Sequence, residues 1–311
     1  AAEACADDTK GQTCYICTQA LHWKTKEGLV RMCACRGTAG FAHVSCLAEE
    51  AKILVAEALE NNLGSKVLTE RFQRWDTCSL CEQDYHGVVR CALGWACWKT
   101  YLGRPEKDQL RAGAMRKLGS GLSATNHHEA ALSVKEAELS MRQRLGESEE
   151  TILTVRNNLA GTYKMLGRQE SALNIYRDVY SGYARLHGEE HGMTLLAASN
   201  YANSLFLLER CEEGKALLRK TMPVARRVLG ESDKVTLRMR SNYATALYTD
   251  PSARLDDLRD AVTTLEEVDQ IARRVLGGAH PTTRTLEDQL RDARAALAAR
   301  ELQDLEISRI P

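Results

Sequence analysis

The sequence predicts a mainly α protein in two parts: a small cysteine-rich segment followed by an α-solenoid of antiparallel helix pairs. Ten of the eleven cysteines lie before residue 100, so the first part differs sharply from the rest. Leu-Gly-like steps recur along the second part at intervals of 43, 41, 43 and 47 residues. Five prolines and three phenylalanines in 311 residues also favour helices over an all-β fold.

Composition narrows the class of protein. The formal net charge is zero, so no global basic field indicates nucleic acid as a partner. We expect no membrane span, because no stretch of eighteen uncharged apolar residues occurs. The opening AAEACADDTKGQTC has no basic n-region or apolar h-region, and the cysteine count is odd. A reducing compartment, the cytoplasm or the nucleus, is therefore expected.

The cysteines and one histidine have the spacing of metal ligands. The pattern C-x2-C-x15-C-x-C-x7-H-x2-C-x31-C-x2-C contains eight candidates: Cys14, Cys17, Cys33, Cys35, His43, Cys46, Cys78 and Cys81. Zinc takes four thiolate or imidazole ligands, so eight ligands complete two sites. Closed sites of this kind are structural, and their binding energy stabilises a small domain. We therefore expect two Zn²⁺ ions as the cofactors.

The C4HC3 order, with one residue between the third and fourth cysteines, resembles the RING-CH (variant RING) finger. The stretch MCACRGTAGFAHVSCL is similar to that family's central signature, and SLCEQDYHG to its closing segment. The resemblance implies a cross-brace in which alternate ligand pairs share an ion. Site one is then Cys14, Cys17, His43 and Cys46, and site two is Cys33, Cys35, Cys78 and Cys81. The finger is expected over residues 10–100.

The resemblance also implies a function, because RING-CH fingers generally act in ubiquitin ligases. They perform no covalent chemistry themselves, so no catalytic residue is expected, and they orient the ubiquitin thioester of a conjugating enzyme. The family's docking surface uses the residue between the first two ligands, here Ile16, and a Trp four residues after the sixth ligand. Glu50 occupies that second position. A carboxylate does not supply the apolar area of an indole ring.

Two further features set the finger apart from its relatives. The gap between the sixth and seventh ligands is 31 residues, and its sequence predicts a helix, a turn at NNLGS and a second helix reaching Trp75. The plant homeodomain finger shares the ligand order, but its hallmark Trp lies two residues before the seventh ligand. Here Trp75 lies three residues before Cys78.

The second part is a repeat array. Asn158-Leu-Ala, Asn200-Tyr-Ala and Asn242-Tyr-Ala recur every 42 residues, and matching periods indicate stacked helix pairs. One unit reads as a helix over TILTVRNNLAGTYKML, a turn at GRQE, and a helix over SALNIYRDVYSGYARL that ends at Gly188. We expect about four units from 103 to 278 and a closing helix over 281–303, within an array over 101–303. The first unit is expected to be degenerate, because GSGLSATNHH interrupts it.

This period, with LGESEETILTVRNNLAGTY and LGGAHPTTRTLEDQL, resembles tetratricopeptide repeats of the kinesin-light-chain type. In that family an inner-helix Asn often binds the backbone of a bound peptide. The resemblance thus implies these groove candidates: Asn158, Asn200, Asn242, Arg156 and Arg240. The alternative is that the asparagines form hydrogen bonds between repeats.

Three hypotheses follow. The first is a soluble RING-CH-type E3 ubiquitin ligase whose finger recruits a ubiquitin-conjugating enzyme and whose repeat groove binds a substrate protein. The second is a non-enzymatic zinc-finger adaptor or scaffold, in which Glu50 marks the loss of docking. The third, a histone-tail reader of the plant homeodomain type, would need an aromatic cage, and the finger has few aromatic residues.

Overall fold

The computed structural model describes residues 1–307, and their regular structure is helical. The helices are α1 (Ala6–Thr9), α2 (Val44–Glu60), α3 (Gly64–Phe72), α4 (Gly87–Tyr101), α5 (Gln109–Ala124), α6 (His128–Arg144), α7 (Glu149–Met165), α8 (Gln169–His187), α9 (Gly192–Leu207), α10 (Cys211–Val228), α11 (Lys234–Tyr248), α12 (Leu255–Leu276) and α13 (Pro281–Ile307). The mainly α fold class is confirmed. Contacts divide the chain into two compact units, Ala1–Leu166 and Gly167–Pro311. The boundary predicted at residue 100 stays a prediction.

The N-terminal part of the first unit consists largely of loops, without extended strands. Within residues 1–307 the β contacts are isolated bridges, Val30 with Ala42 and Thr77 with Asp84. A small core surrounds them, and its fully buried members include Phe41, Tyr85 and Leu93. A core of this size supports few loops by itself, so metal ligation is the natural source of additional stability.

The long gap between ligands folds as the sequence predicts. Helix α2 begins directly after His43, the turn follows at Asn61, and α3 continues through a short 3-10 segment that ends at Trp75. Trp75 is buried and meets Tyr101 of α4 edge-on, with the ring centroids 5.9 Å apart. The insertion is therefore helical and packs against α4.

Helices α4 and α5 approach each other closely, and glycines make this possible. A Cβ added at Gly94 would lie 2.8 Å from the backbone oxygen of Lys117, and one at Gly121 would lie 2.8 Å from the Cα of Cys91. The stretch GSGLSATNHH contains the turn of the first helix pair, because α5 ends at Ala124 and α6 begins at His128. Gly in a helix is intrinsically unfavourable, and the close contact with α4 explains its presence here.

In the second unit, consecutive helices pack against each other, and α9 also contacts α11, as α11 contacts α13. This contact pattern is typical of stacked helix pairs. Two of the turns between helices have the same structure. Gly188 and Gly277 end their helices with φ of 84° and 87°, and each carbonyl accepts a hydrogen bond of 2.8 Å from a buried threonine, Thr194 or Thr283. Positive φ strains residues with a side chain, so glycine suits both positions.

The two predicted helical segments TILTVRNNLAGTYKML and SALNIYRDVYSGYARL are also helical, since α7 and α8 cover them. Over residues 1–307, no helix combines the length and the apolar character that crossing a bilayer requires.

Candidate functional site

The first ligand cluster joins a loop to the start of α2. Cys14 and Cys17 lie in one turn, whose backbone amides at Ile16 and Cys17 point to the Cys14 sulfur at 3.4 and 3.5 Å. His43 immediately precedes α2 and Cys46 lies in its first turn. The four ligand atoms lie within 4.8 Å of one another. Residues up to 32 positions apart in sequence therefore form one compact donor set.

The orientation of the His43 ring assigns its two nitrogens. Nδ1 lies 3.4 Å from the Cys17 sulfur and 3.6 Å from the Cys46 sulfur, so it faces the cluster. Nε2 lies 3.4 Å from the carbonyl oxygen of Ala20, to which an Nε2–H donates. A metal-binding histidine commonly donates its second ring N–H in this way, which fixes the tautomer and the ring.

The second cluster brings together Cys33, Cys35, Cys78 and Cys81, again with all four sulfurs within 4.8 Å of one another. The loop around it leaves no room for an additional side chain. Gly40 has a φ of 83°, and an added Cβ would lie 2.6 Å from the Cys35 Cβ and 2.8 Å from its sulfur. Glycine at this position therefore allows the chain to close over the sulfurs.

The thiols of the second cluster shift each other's pKa values. The hydrogen bond from Cys33 lowers the pKa of Cys78 to about 4, and the same bond raises the pKa of Cys33. Burial raises the pKa of Cys35 to about 12. Thiolates this close repel one another, so without a cation they do not all ionise together. A divalent ion removes this conflict and takes all four as thiolates.

The donor sets fit two zinc ions. One cluster offers three sulfurs and one imidazole nitrogen, and the other offers four sulfurs, both of which are typical of closed structural zinc sites. Ligands one, two, five and six form the first set, and three, four, seven and eight form the second. The predicted cofactor and the cross-brace arrangement are therefore confirmed by the placement of the residues.

The residues predicted to dock a conjugating enzyme lie beside the first cluster. Ile16, between the first two ligands, is 39% exposed. The Tyr15 hydroxyl donates to Glu50 Oε2 at 3.4 Å and lies 3.0 Å from the Ser79 hydroxyl. These contacts link the first ligand loop, α2 and the last ligand loop. Leu80, which lies between Cys78 and Cys81, is also exposed.

The groove candidates fall in both units. Arg156 and Asn158 lie in α7 of the first unit, where the Asn158 carbonyl accepts a hydrogen bond of 3.2 Å from Lys135 Nζ. In the second unit, Arg240 is buried and forms ion pairs with Glu231 and Glu267.

The two asparagines of the second unit differ in their contacts. Asn200 in α9 accepts a hydrogen bond of 3.1 Å from Arg238 in α11, a bond between repeats. Asn242 has a buried Nδ2 with no hydrogen-bond partner among the described residues. Arg238, which sequence reasoning did not select, is thus the arginine that meets a predicted asparagine. The roles of these residues in ligand binding stay predictions.

Comparison with known proteins assigns both parts. Residues 14–60 match the RING-variant domain, and residues 152–191 and 194–233 match the tetratricopeptide repeat. No curated protein matches the sequence.

Solved structures with a similar course of the chain include two repeat proteins. The Podosopora anserina kinesin light chain with nearly identical TPR-like repeats is 17% identical, with 75% of this chain and 97% of that chain covered and a TM-score of 0.45. BtubC (BKLC) from P. vanneervenii is 13% identical, with 87% and 94% covered and a TM-score of 0.44. Similarity at this level does not extend to ligands or partners.

A RING-variant domain suggests a ligase of the E3 type, and tetratricopeptide repeats suggest protein binding. The chain therefore joins a RING-variant domain, whose two Cys/His clusters fit two zinc ions, to tetratricopeptide repeats.

Proposed function

We propose that the protein is a ubiquitin ligase of the RING type. The finger recruits a ubiquitin-conjugating enzyme, and the repeats bind the substrate protein. One observation supports this most: Ile16 stands exposed on a turn that two zinc ligands and the amides around Cys14 hold in place. A fixed apolar side chain of this kind serves as an anchor for a partner protein.

The residues around Ile16 also support a docking surface for the conjugating enzyme. Tyr15 lies between Glu50 and Ser79, so the loop carrying Leu80 is held near the loop carrying Ile16. Ile16 and Leu80 are exposed aliphatic side chains on these two linked loops, and together they offer apolar anchors for a partner protein. A docking surface orients a bound thioester by position alone, so no catalytic side chain is required from the finger.

The repeat half contributes protein binding. In the second unit, Arg238 of α11 is exposed and its guanidinium donates to Asn200 of α9. An exposed guanidinium suits the carbonyl and carboxylate groups of a bound peptide. The substrate is then recognised by the repeats and the conjugating enzyme by the finger.

The test is single-turnover discharge of ubiquitin from a panel of charged conjugating enzymes to free lysine. The intact zinc-loaded chain should accelerate discharge from at least one enzyme. Ile16→Ala should reduce the acceleration about tenfold, as expected for an interface anchor. Leu63→Ala is the matched control, because Leu63 is 40% exposed, against 39% for Ile16, and follows the far end of α2.

Two results would contradict the proposal. One is no acceleration across the panel by a chain that holds two zinc ions. The other is equal loss in Ile16→Ala and Leu63→Ala, since a general effect on folding would then explain both.

Glu50 is the observation that favours the second candidate, a non-enzymatic adaptor. Its carboxylate accepts a hydrogen bond from Tyr15 at the position where an aromatic ring is expected. Under this alternative the finger is a structural cap. Discharge would then be absent from the intact chain and appear only in a Glu50→Trp variant.

A further inference from the structure

The finger carries an exposed turn that neither the zinc clusters nor the docking surface explains. This turn, the Trp23 tip, comprises residues 20–26, ALHWKTK. Trp23 is 68% exposed, the highest value for a large apolar side chain in the part of the chain that the structure describes. Leu21, Lys24, Thr25 and Lys26 are exposed as well. Trp23 and Leu21 are thus two large apolar side chains displayed on one short turn.

The Trp23 tip is rigid because the buried side chain of His22 anchors it to the finger. The His22 ring is buried against the zinc ligand His43, with centroids 5.3 Å apart, and its Nδ1 accepts from the Thr25 amide at 3.1 Å. Two backbone bonds close the turn: Lys26 N–H to His22 O at 2.9 Å and His22 N–H to Glu27 O at 3.0 Å. The exposed indole of Trp23 therefore lies on an ordered turn.

The charge of the tip is locally positive, although the net charge of the chain is zero. No acidic residue occurs between Thr18 and Lys26. Within residues 1–307, no ion pair joins the ammonium group of either lysine to a carboxylate, and both lysines are exposed. The next acidic side chain, Glu27, accepts a hydrogen bond of 2.8 Å from the Ser45 amide at the start of α2, so it is turned inward.

The size and chemistry of the tip favour one kind of partner. A single turn with one indole and one leucine offers far less area than the roughly 800 Å² per partner of a stable protein interface. A bilayer needs only a shallow insertion, and indole rings concentrate at its interface with water. Nearby lysines add attraction to anionic headgroups. We propose that the Trp23 tip docks the protein on anionic lipid surfaces, independently of the ligase proposal.

The experiment is co-sedimentation of the full zinc-loaded chain with vesicles of phosphatidylcholine, with and without about one third phosphatidylserine. Wild-type protein should bind the anionic vesicles and bind neutral ones weakly. Trp23→Ala should lower the partition coefficient about tenfold. The double variant Lys24→Ala, Lys26→Ala should lower it by about a fivefold factor per lysine on anionic vesicles only. Brominated lipid should quench fluorescence in wild type and much less in Trp23→Ala.

Trp95→Ala is the matched control, because Trp95 is 44% exposed but lies on α4, outside the tip. It should bind vesicles as wild type does, and zinc content should be equal in all variants. The proposal is overturned if wild type fails to bind anionic vesicles, if Trp23→Ala and Trp95→Ala bind equally, or if neutral and anionic vesicles bind equally. It is also overturned if Trp23→Ala changes the oligomeric state without vesicles, since the tip would then join copies of the chain.

Discussion

Replacing Gly121 by alanine tests whether α4 and α5 are joined as closely as the structure indicates. The new Cβ would lie 2.8 Å from the Cys91 Cα and 2.9 Å from the Arg90 carbonyl oxygen. Both atoms belong to the backbone, so no side chain can rotate away and the helices must separate. Overpacking of this kind costs about 3 kcal/mol, while the helix propensity of alanine returns about 1 kcal/mol. The expected net loss is about 2 kcal/mol.

The assay is thermal unfolding of the zinc-saturated chain. For a unit of 166 residues, a loss of this size lowers the midpoint by about 4–8 °C. Gly103→Ala is the control, because nothing lies within 4 Å of its added Cβ, and its midpoint should stay near that of wild type. A higher midpoint for Gly121→Ala, as for a glycine on an open helix face, would refute the close approach.

Two predictions concern buried charges. Burial lowers the pKa of Lys135 to about 8, below its ordinary 10.5. Between pH 8 and pH 10.5 the unfolded chain therefore binds more protons than the folded chain, so the free energy of unfolding of the first unit should rise with pH in this range. Lys135→Met should flatten this rise in denaturant unfolding measured against pH, and an unchanged slope would contradict the assignment. In the second unit, Lys215 donates to Asp250 at 2.7 Å and holds the pKa of Asp250 at about 2, below its ordinary 3.8. Stability from this pair is present above about pH 4 and lost toward pH 2. Lys215→Met should lower the neutral-pH midpoint and weaken the acid dependence, whereas identical acid profiles would argue against the pair.

The zinc clusters and helix pairs were predictable because their signals are local or periodic. Ligand spacing allows few arrangements once four donors must surround each ion. The 42-residue period of Asn158, Asn200 and Asn242 reflects a unit that each neighbour repeats. The insertion helices followed from their composition alone, with the turn at NNLGS.

What the sequence did not reveal depends on contacts between distant segments. Gly121 lies inside α5, and only the approach of the α4 backbone explains why glycine occupies this position. Arg240 has the spacing of a groove residue, yet Glu231 and Glu267 engage it, while Arg238 meets Asn200. The exposure of Trp23 follows from the buried position of His22 against His43. None of these contacts produces a periodic pattern in the sequence.

Each proposal for the finger depends on two zinc ions held by two interleaved sets of ligands. Zinc analysis combined with X-ray absorption at the zinc edge tests this most directly. Seven sulfurs and one nitrogen over two ions predict two zinc ions per chain and, on average, 3.5 sulfur ligands per ion at about 2.3 Å. The His43→Cys variant should keep both ions and raise the average to four. One ion per chain, or oxygen ligands in place of sulfur, would contradict the cross-braced finger.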